Sequence, residues 1–154
     1  MNHPQIDWQW CRFTELDVHG LYAVLARRQQ VFILEQNCLY GDADGLDSVA
    51  WHLLGWRTTE QGRELVAYLR YFEPGVRFVE AAFGRVLCIP SMRGHGIGRA
   101  LLSEAIRRAD QLHPEQPYRI QAQQYLEDFY AGFGFRRCGE PYLDDDILHV
   151  DMLR

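Results

Sequence analysis

Between residues 93 and 102 the chain reads RGHGIGRALL, with Gly94, Gly96 and Gly98 at alternate positions, Arg93 and Arg99 flanking them, and an apolar run directly after. Glycine weakens a helix by about 1 kcal/mol relative to alanine, so three of them where a helix should begin need a reason. A helix start leaves its first four backbone N–H groups without intrahelical partners, and together with the helix dipole these make an anion site. Glycine lets the backbone take positive φ and lets a ligand approach closely, and arginine adds charge-assisted hydrogen bonds to phosphate. Arg93, Gly94, His95, Gly96, Ile97, Gly98 and Arg99 therefore read as a turn that holds a diphosphate. The competing reading is a glycine turn that only caps a helix.

Two better-known phosphate loops do not fit. A dinucleotide fingerprint, G-x-G-x-x-G/A, would need Gly or Ala where Arg99 or Leu101 stands, and a P-loop needs Gly-Lys. All 16 basic residues are arginine, so there is no lysine to serve a P-loop, a Schiff base or a nucleophile. Codon bias in a GC-rich genome is the plain reading of that absence; avoidance of self-modification by an amine-modifying enzyme is the functional one.

The elements that must position this turn follow from the apolar patterning. Trp8 to Thr14 alternates large and polar residues as a first strand, and Glu15 to Gln30 has Leu16, Leu21, Val24 and Leu25 near helical spacing. Val31 to Glu35 extends that helix or starts a second short one, and NCLYGDADGLDS is a loop. Trp51 to Arg57 and Glu64 to Phe72 form an antiparallel hairpin about the turn TTEQGR. Arg85 to Ile89 is a short strand ended by Pro90, Gly98 to Leu112 an amphipathic helix, and Tyr118 to Ala122 a strand. Tyr125 to Phe133 is a helix stopped by Gly134, and Ile147 to Leu153 is the last strand. Strand, helix and strand around Arg85 to Ala122 imply a right-handed parallel crossover; the hairpin and tail imply antiparallel neighbours. The expectation is one α/β domain over residues 1–154 with a mixed sheet and helices packed on it.

The bulk numbers agree with a soluble globular domain: 154 residues, 47% hydrophobic and 24% charged. A net charge of −5 argues against a general nucleic-acid binder. Cys11, Cys38, Cys88 and Cys138 are far apart and form no C-x-x-C pair, so neither zinc nor a redox dithiol is expected. The polar start MNHPQIDWQW and the lack of an apolar run near ~20 residues imply a cytoplasmic protein with no membrane contact.

The segment LCIPSMRGHGIGRALL resembles the cofactor-binding segment of the GCN5-related N-acetyltransferases (GNAT), and QQYLEDFYAGFGF resembles that superfamily's second motif, with Phe129, Tyr130, Gly134 and Phe135 matching. Gln123 stands where Asn is usual, and Leu126 where Ala is usual. VFILEQNCLYGDADGLD, HLLGW and GEPYLDDDILH further resemble the ElaA-type branch, with Leu39 for its usual Pro and Asp146-Ile147-Leu148 for Gly-Ile-Pro. The resemblance implies a GNAT-type mixed, mostly antiparallel central sheet flanked by helices, with a parallel β-α-β crossover at the acyl-CoA site. It implies an acetyl-CoA-dependent N-acetyltransferase in which a primary amine, on a small molecule or a peptide, attacks the thioester in a ternary complex, with no metal. It also leaves room for a homodimer through an edge strand. A non-catalytic acyl-CoA sensor, and an interaction domain without acyl-CoA, are the rival classes.

Under that resemblance Val86, Leu87, Cys88 and Ile89 bind the pantetheine arm through backbone groups, a backbone amide near Cys88 or Ile89 steadies the oxyanion, and Gln123 joins the cofactor site. Tyr130 occupies the position of the acid that protonates the departing thiolate; the alternative is a core tyrosine inside a patch of phenylalanines. Glu35, His52, Glu80, Glu140 and His149 are candidate bases, with His149 and Glu35 preferred because they lie in the branch-like segments. A water chain to solvent would serve as well. Asp42, Asp44 and Asp47 do not follow calcium-loop order. Each reads as part of a solvated turn, or, together with Asp144, Asp145 and Asp146, as an acidic mouth that steers a cationic amine.

Overall fold

The computed structural model describes residues 4–154. Strand β1 spans Asp7–Arg12, helix α1 Val18–Arg28, strands β2 and β3 Trp51–Thr59 and Gly62–Phe72, and strand β4 Ala81–Cys88. Helix α2 spans Ile97–Leu112, β5 Tyr118–Gln123 and helix α3 Glu127–Ala131, followed by β6 Arg136–Arg137, β7 Tyr142–Asp144 and β8 Ile147–Leu153. The strands form one sheet in the order β1-β2-β3-β4-β5-β8-β6, with β7 also paired to β8. Every pairing is antiparallel except β4 with β5, the two strands joined through α2. The mixed, mostly antiparallel sheet with one parallel crossover is thus as expected.

The central strands β2 and β3 are buried almost continuously because helices cover both faces of the sheet. Side chains alternate across a strand. Leu54, Tyr68 and Leu87 face one way and pack with Val24 of α1 and Val31. Leu53, Leu69 and Tyr71 face the other way and pack with Leu101, Leu102, Ala105 and Ala109 of α2. The glycine turn at the head of α2 is therefore fixed to the sheet by the apolar stripe of that helix.

Several boundaries differ from the sequence expectation. β1 stops at Arg12 because Glu15 Oε2 accepts from the Arg12 amide (2.6 Å) and closes a 3₁₀ turn. α1 starts at Val18, capped by Asp17, whose carboxylate accepts from the Gly20 amide (2.6 Å), and then runs on as π-helix over Gln29–Glu35. β4 begins at Ala81, four residues ahead of the expected Arg85, because Ala82 and Phe83 pair with Phe72 and Tyr71 of β3; Gly84 breaks the apolar run between the two stretches. Arg85 has φ 51° and the β3–β4 register shifts between Tyr68 and Arg70, so β4 is bulged where it enters the site. The helix expected over Tyr125 to Phe133 divides into a 3₁₀ turn at Gln124–Leu126 and the short α3, while Gly134 (φ 89°) ends it as expected. The β7–β8 hairpin turns on Asp145 and Asp146, both at positive φ (47° and 60°), a geometry usually signalled by Asn-Gly.

Candidate functional site

β4 and β5 pair only at Ala81–Tyr118 and Ala82–Arg119. Beyond that point they part, and a cavity of roughly 630 Å³ opens between Phe83–Cys88 on β4 and Ile120–Gln123 on β5. Residues 31–41 roof it, tied to the floor on both sides. Arg93 donates to both Glu35 carboxylate oxygens (2.5 and 3.0 Å), and the Gln123 amide donates to Gln36 Oε1 (3.0 Å). The split leaves one edge of β4 without a strand partner, which is where an extended ligand arm can take up backbone hydrogen bonds.

Successive amides of a strand point to opposite edges. The Ile89 amide donates to Val66 O on β3 (2.9 Å), and Ile89 itself is buried. Ile89 therefore cannot supply the oxyanion donor, contrary to one of the two sequence options, and its role is packing. Cys88 faces the other way: its carbonyl accepts from Arg93 Nε (3.0 Å), and by alternation its amide points toward the cavity. Burial pushes the Cys88 thiol pKa up, outweighing the opposing charge of Arg93, and so disfavours the thiolate.

Helix α2 opens beside the same cavity. Its N-cap is Gly96 at φ 78°, Gly94 shares that conformation, and a Cβ on either would meet no other atom within 4 Å. Both glycines thus answer a demand for positive φ, and the corner they make is open. Gly98 lines the cavity at an ordinary helical φ. The first backbone bond of the helix is Ala100 N–H to Gly96 O (3.0 Å), and no side chain caps the amides ahead of it. Ile97 is buried in the α2 core and anchors the turn from beneath, while Gly94, His95, Gly96 and Arg99 are exposed at the rim. The Arg99 guanidinium leans over the rings of Phe129 and Phe133 (6.0 and 5.9 Å). Arg93, exposed at the mouth, is already ion-paired with Glu35, so neither residue stands free as the sequence reading had it.

Val86, Leu87, Cys88, Gln123, Tyr130 and His149 all line the cavity, as do Glu35 and Arg93 at its mouth. The Leu87 side chain itself belongs to the core on the α1 side. Tyr130 is buried with its ring edge-on to Phe129 (5.1 Å) and Phe135 (6.1 Å). Its hydroxyl has no hydrogen-bond partner among the described residues, and burial raises its pKa well above that of a free tyrosine. His149 stacks on Tyr142 (6.0 Å between centroids, 22° between planes), and its Nδ1 is 2.8 Å from Ile147 O. A carbonyl can only accept, so Nδ1 carries the proton and Nε2 is left with a lone pair.

The other candidate bases lie elsewhere. His52 is fully buried, donates from Nε2 to Asp47 O (2.9 Å) and accepts at Nδ1 from Tyr68 (2.7 Å); desolvation lowers its pKa and holds it neutral. Glu80 is bound by Arg119 (3.2 Å), and Glu140 is exposed outside the cavity.

The acidic mouth is a correction. Asp42, Asp44 and Asp47 are the counter-ions of buried arginines. Arg28 binds Asp42 (2.8 Å) and Asp47 (2.6 Å), Arg70 binds Asp44 and Asp47 (3.0 Å to the latter), and Arg85 binds Asp42 (2.8 Å). Arg28 and Arg70 are completely excluded from solvent. Burial by itself would oppose ionisation of Asp44 and Asp47, but their arginine partners outweigh it and hold both pKa values below the usual carboxylate range. Asp144, Asp145 and Asp146 are exposed and carry no ion pair among the described residues, whereas Asp44, also exposed, is tied to Arg70. Sequence reasoning missed Arg28, Arg70 and Arg85. The available signal was Arg70 inside the apolar strand LVAYLRYF, and three aspartates crowded into one loop, each needing a cation. Among the described residues there is no cluster able to hold a metal ion, and no helix is long and apolar enough to cross a membrane.

This fold, a sheet that parts beside a glycine-turned helix, is shared with an acyl-CoA N-acyltransferase of known structure. A family profile described as "Acetyltransferase (GNAT) domain" matches residues 57–154. The solved structure of an acyl-CoA N-acyltransferase from Pseudomonas aeruginosa superposes with a TM-score of 0.90 at 37% identity, covering 97% of this chain and 99% of that one. That of Escherichia coli ElaA gives 0.89 and 37%, with the same coverage. In sequence, Escherichia coli Protein ElaA is 38% identical over 97% of this chain and 96% of its own length, and UPF0039 protein sll0451 of Synechocystis is 44% identical over 97% and 95%. The chain belongs to the GNAT acetyltransferase family, and within it to the ElaA-like proteins.

Proposed function

We propose that this protein is an acetyl-CoA-dependent N-acetyltransferase that passes the acetyl group directly to a primary amine. The observation that carries this reading is the junction of the open Gly94–Gly96 corner with the unpaired edge of β4 in one cavity. The amides at the head of α2 take the diphosphate, and the free edge of β4 around Val86 and Cys88 takes the pantetheine arm. Arg93 serves the diphosphate only after its contact with Glu35 opens or is shared, so Glu35 acts as a holder of Arg93 and not as the base.

The amine lone pair attacks the thioester carbonyl, and the developing oxyanion accepts from the Cys88 amide. Such a donor contributes about 3–4 kcal/mol in comparable acyl transfers. The nitrogen passes its proton to His149 Nε2, whose lone pair is set by the Nδ1 contact to Ile147 O. The C–S bond then breaks and the electron pair leaves on sulfur. Tyr130 donates a hydrogen bond to that thiolate and keeps its own proton, because the same burial that raises its pKa makes the tyrosinate costly. Solvent finally protonates the sulfur.

The test is thiol release from acetyl-CoA with a panel of amines, run beside calorimetry with CoA. Turnover with any amine supports the reading. Binding without turnover on every amine would make the protein an acyl-CoA sensor, and no binding at all would reject the cofactor assignment.

A further inference from the structure

Where β4 and β5 first part, the cavity borders a cluster of charged side chains in which one arginine has no carboxylate partner. Four guanidinium groups meet there, those of Arg28, Arg70, Arg77 and Arg85, against the three carboxylates of Asp42, Asp44 and Asp47. His52 does not alter the balance, being neutral. Arg28, Arg70 and Arg85 are each ion-paired. Arg77, which lines the cavity at its solvent-exposed rim, has no carboxylate partner among the described residues; Asp144 and Asp145 line the same cavity without pairing to it.

Arg77 is nonetheless held in place. Its Nη2 donates to Gln121 Oε1 (2.9 Å), and its guanidinium lies by the rings of Phe78 (5.4 Å) and Phe72 (5.8 Å). Loss of solvent, and then the charges of Arg70 and Arg85, lower its pKa. The space before it is kept clear by Gly84. A Cβ on that glycine would stand 3.6 Å from Arg77 Nη1 and 3.9 Å from Arg70 Nε, and Arg70 Nε is itself a buried donor with no partner. Of the two arginines only Arg77 lines the cavity, so it is Arg77 Nη1, which carries no hydrogen bond, that faces the position beside Gly84 where a ligand oxygen can sit.

We infer that the acceptor amine carries a carboxylate, seated on Arg77 beside Gly84. This rests on the acetyltransferase reading above and names the substrate class for the same site. Cys88 lies four residues along β4 from Gly84, about 13 Å at strand rise and less across the bulge at Arg85. The carboxylate and the reacting nitrogen must therefore be separated by an extended spacer, longer than that of an α-amino group.

The test compares 6-aminohexanoate with pentylamine, the same chain without its carboxylate, in thiol release from acetyl-CoA. The wild-type protein should favour 6-aminohexanoate by about tenfold or more in kcat/KM, the scale of one charge-assisted hydrogen bond. Arg77→Met should collapse that ratio toward one, and Arg77→Glu should reverse it in favour of 1,5-diaminopentane. Gly84→Ala, which fills the seat, should raise KM for 6-aminohexanoate more than for pentylamine. A wild-type ratio of one or less, a ratio indifferent to Arg77→Met, or acetyl-CoA binding without turnover on any of the three amines would each overturn the inference while leaving the cofactor assignment intact. Absence of acetyl-CoA binding would reject the underlying reading and the inference with it.

Discussion

The two ends of the cavity are built from opposite materials. The end beside α2 is made of backbone: two glycines at positive φ, uncapped helix amides and an unpaired strand edge. The end beside the residue 37–48 loop is made of charged side chains locked inside the protein, Arg28 and Arg70 foremost. Backbone groups stay in place whatever the neighbouring side chains are, which suits a ligand as invariant as a nucleotide diphosphate. A side-chain network depends on every partner staying in place. The two ends should therefore fail differently: damage to the charged end should unfold the protein, and damage to the backbone end should release the cofactor.

Arg28→Met is the harshest way to break that contrast. It leaves Asp42 with Arg85 alone and Asp47 with Arg70 alone, and losing one partner of a buried pair costs about 3–5 kcal/mol. Thermal unfolding should shift down by roughly 10 °C for a domain of this size. Near-unchanged stability would mean the network is not structural. His149→Gln comes next. It should lower kcat on the order of 10²-fold while the KM for acetyl-CoA is little moved, since His149 accepts the amine proton and does not hold the cofactor. An unchanged kcat would assign the proton to water. Tyr130→Phe should reduce kcat about tenfold with the KM for acetyl-CoA little moved, because the bond forms only as the thiolate develops.

A subtler difference separates the two ends in acid. Asp44 and Asp47 have pKa values depressed below those of the unfolded chain. Their contribution is complete above the ordinary carboxylate pKa of ~4 and is lost as pH falls through the folded values. The melting temperature should therefore fall below about pH 4, and Asp44→Asn should flatten that slope. A slope identical to wild type would remove Asp44 from the account.

The backbone end was the legible one. Positive φ is written into sequence as glycine, so RGHGIGR announced both the turn and the head of α2 to within a residue. The strand-helix-strand pattern placed the parallel pair. The charged end was not legible, because a buried arginine looks like a surface arginine until its partners are located. Arg28 sits at the end of an amphipathic helix and Arg70 in a core strand, and each meets aspartates 14 to 26 residues away. An acidic run in a loop read as a solvated mouth, when it was one half of a neutralised cluster. The edge assignment of the Ile89 and Cys88 amides was equally hidden, since it depends on the β3–β4 register and on the bulge at Arg85.

The most direct test of the account is calorimetric titration of the wild-type protein and of Gly96→Val with CoA and with pantetheine, which lacks the diphosphate. A side chain at φ 78° costs about 1–2 kcal/mol in strain and projects into the open corner. The account predicts that the wild-type protein binds CoA far more tightly than pantetheine, and that Gly96→Val loses about tenfold or more for CoA while its weak pantetheine binding stays as it was. No heat with CoA, or equal affinity of both proteins for it, would contradict a diphosphate held at the head of α2.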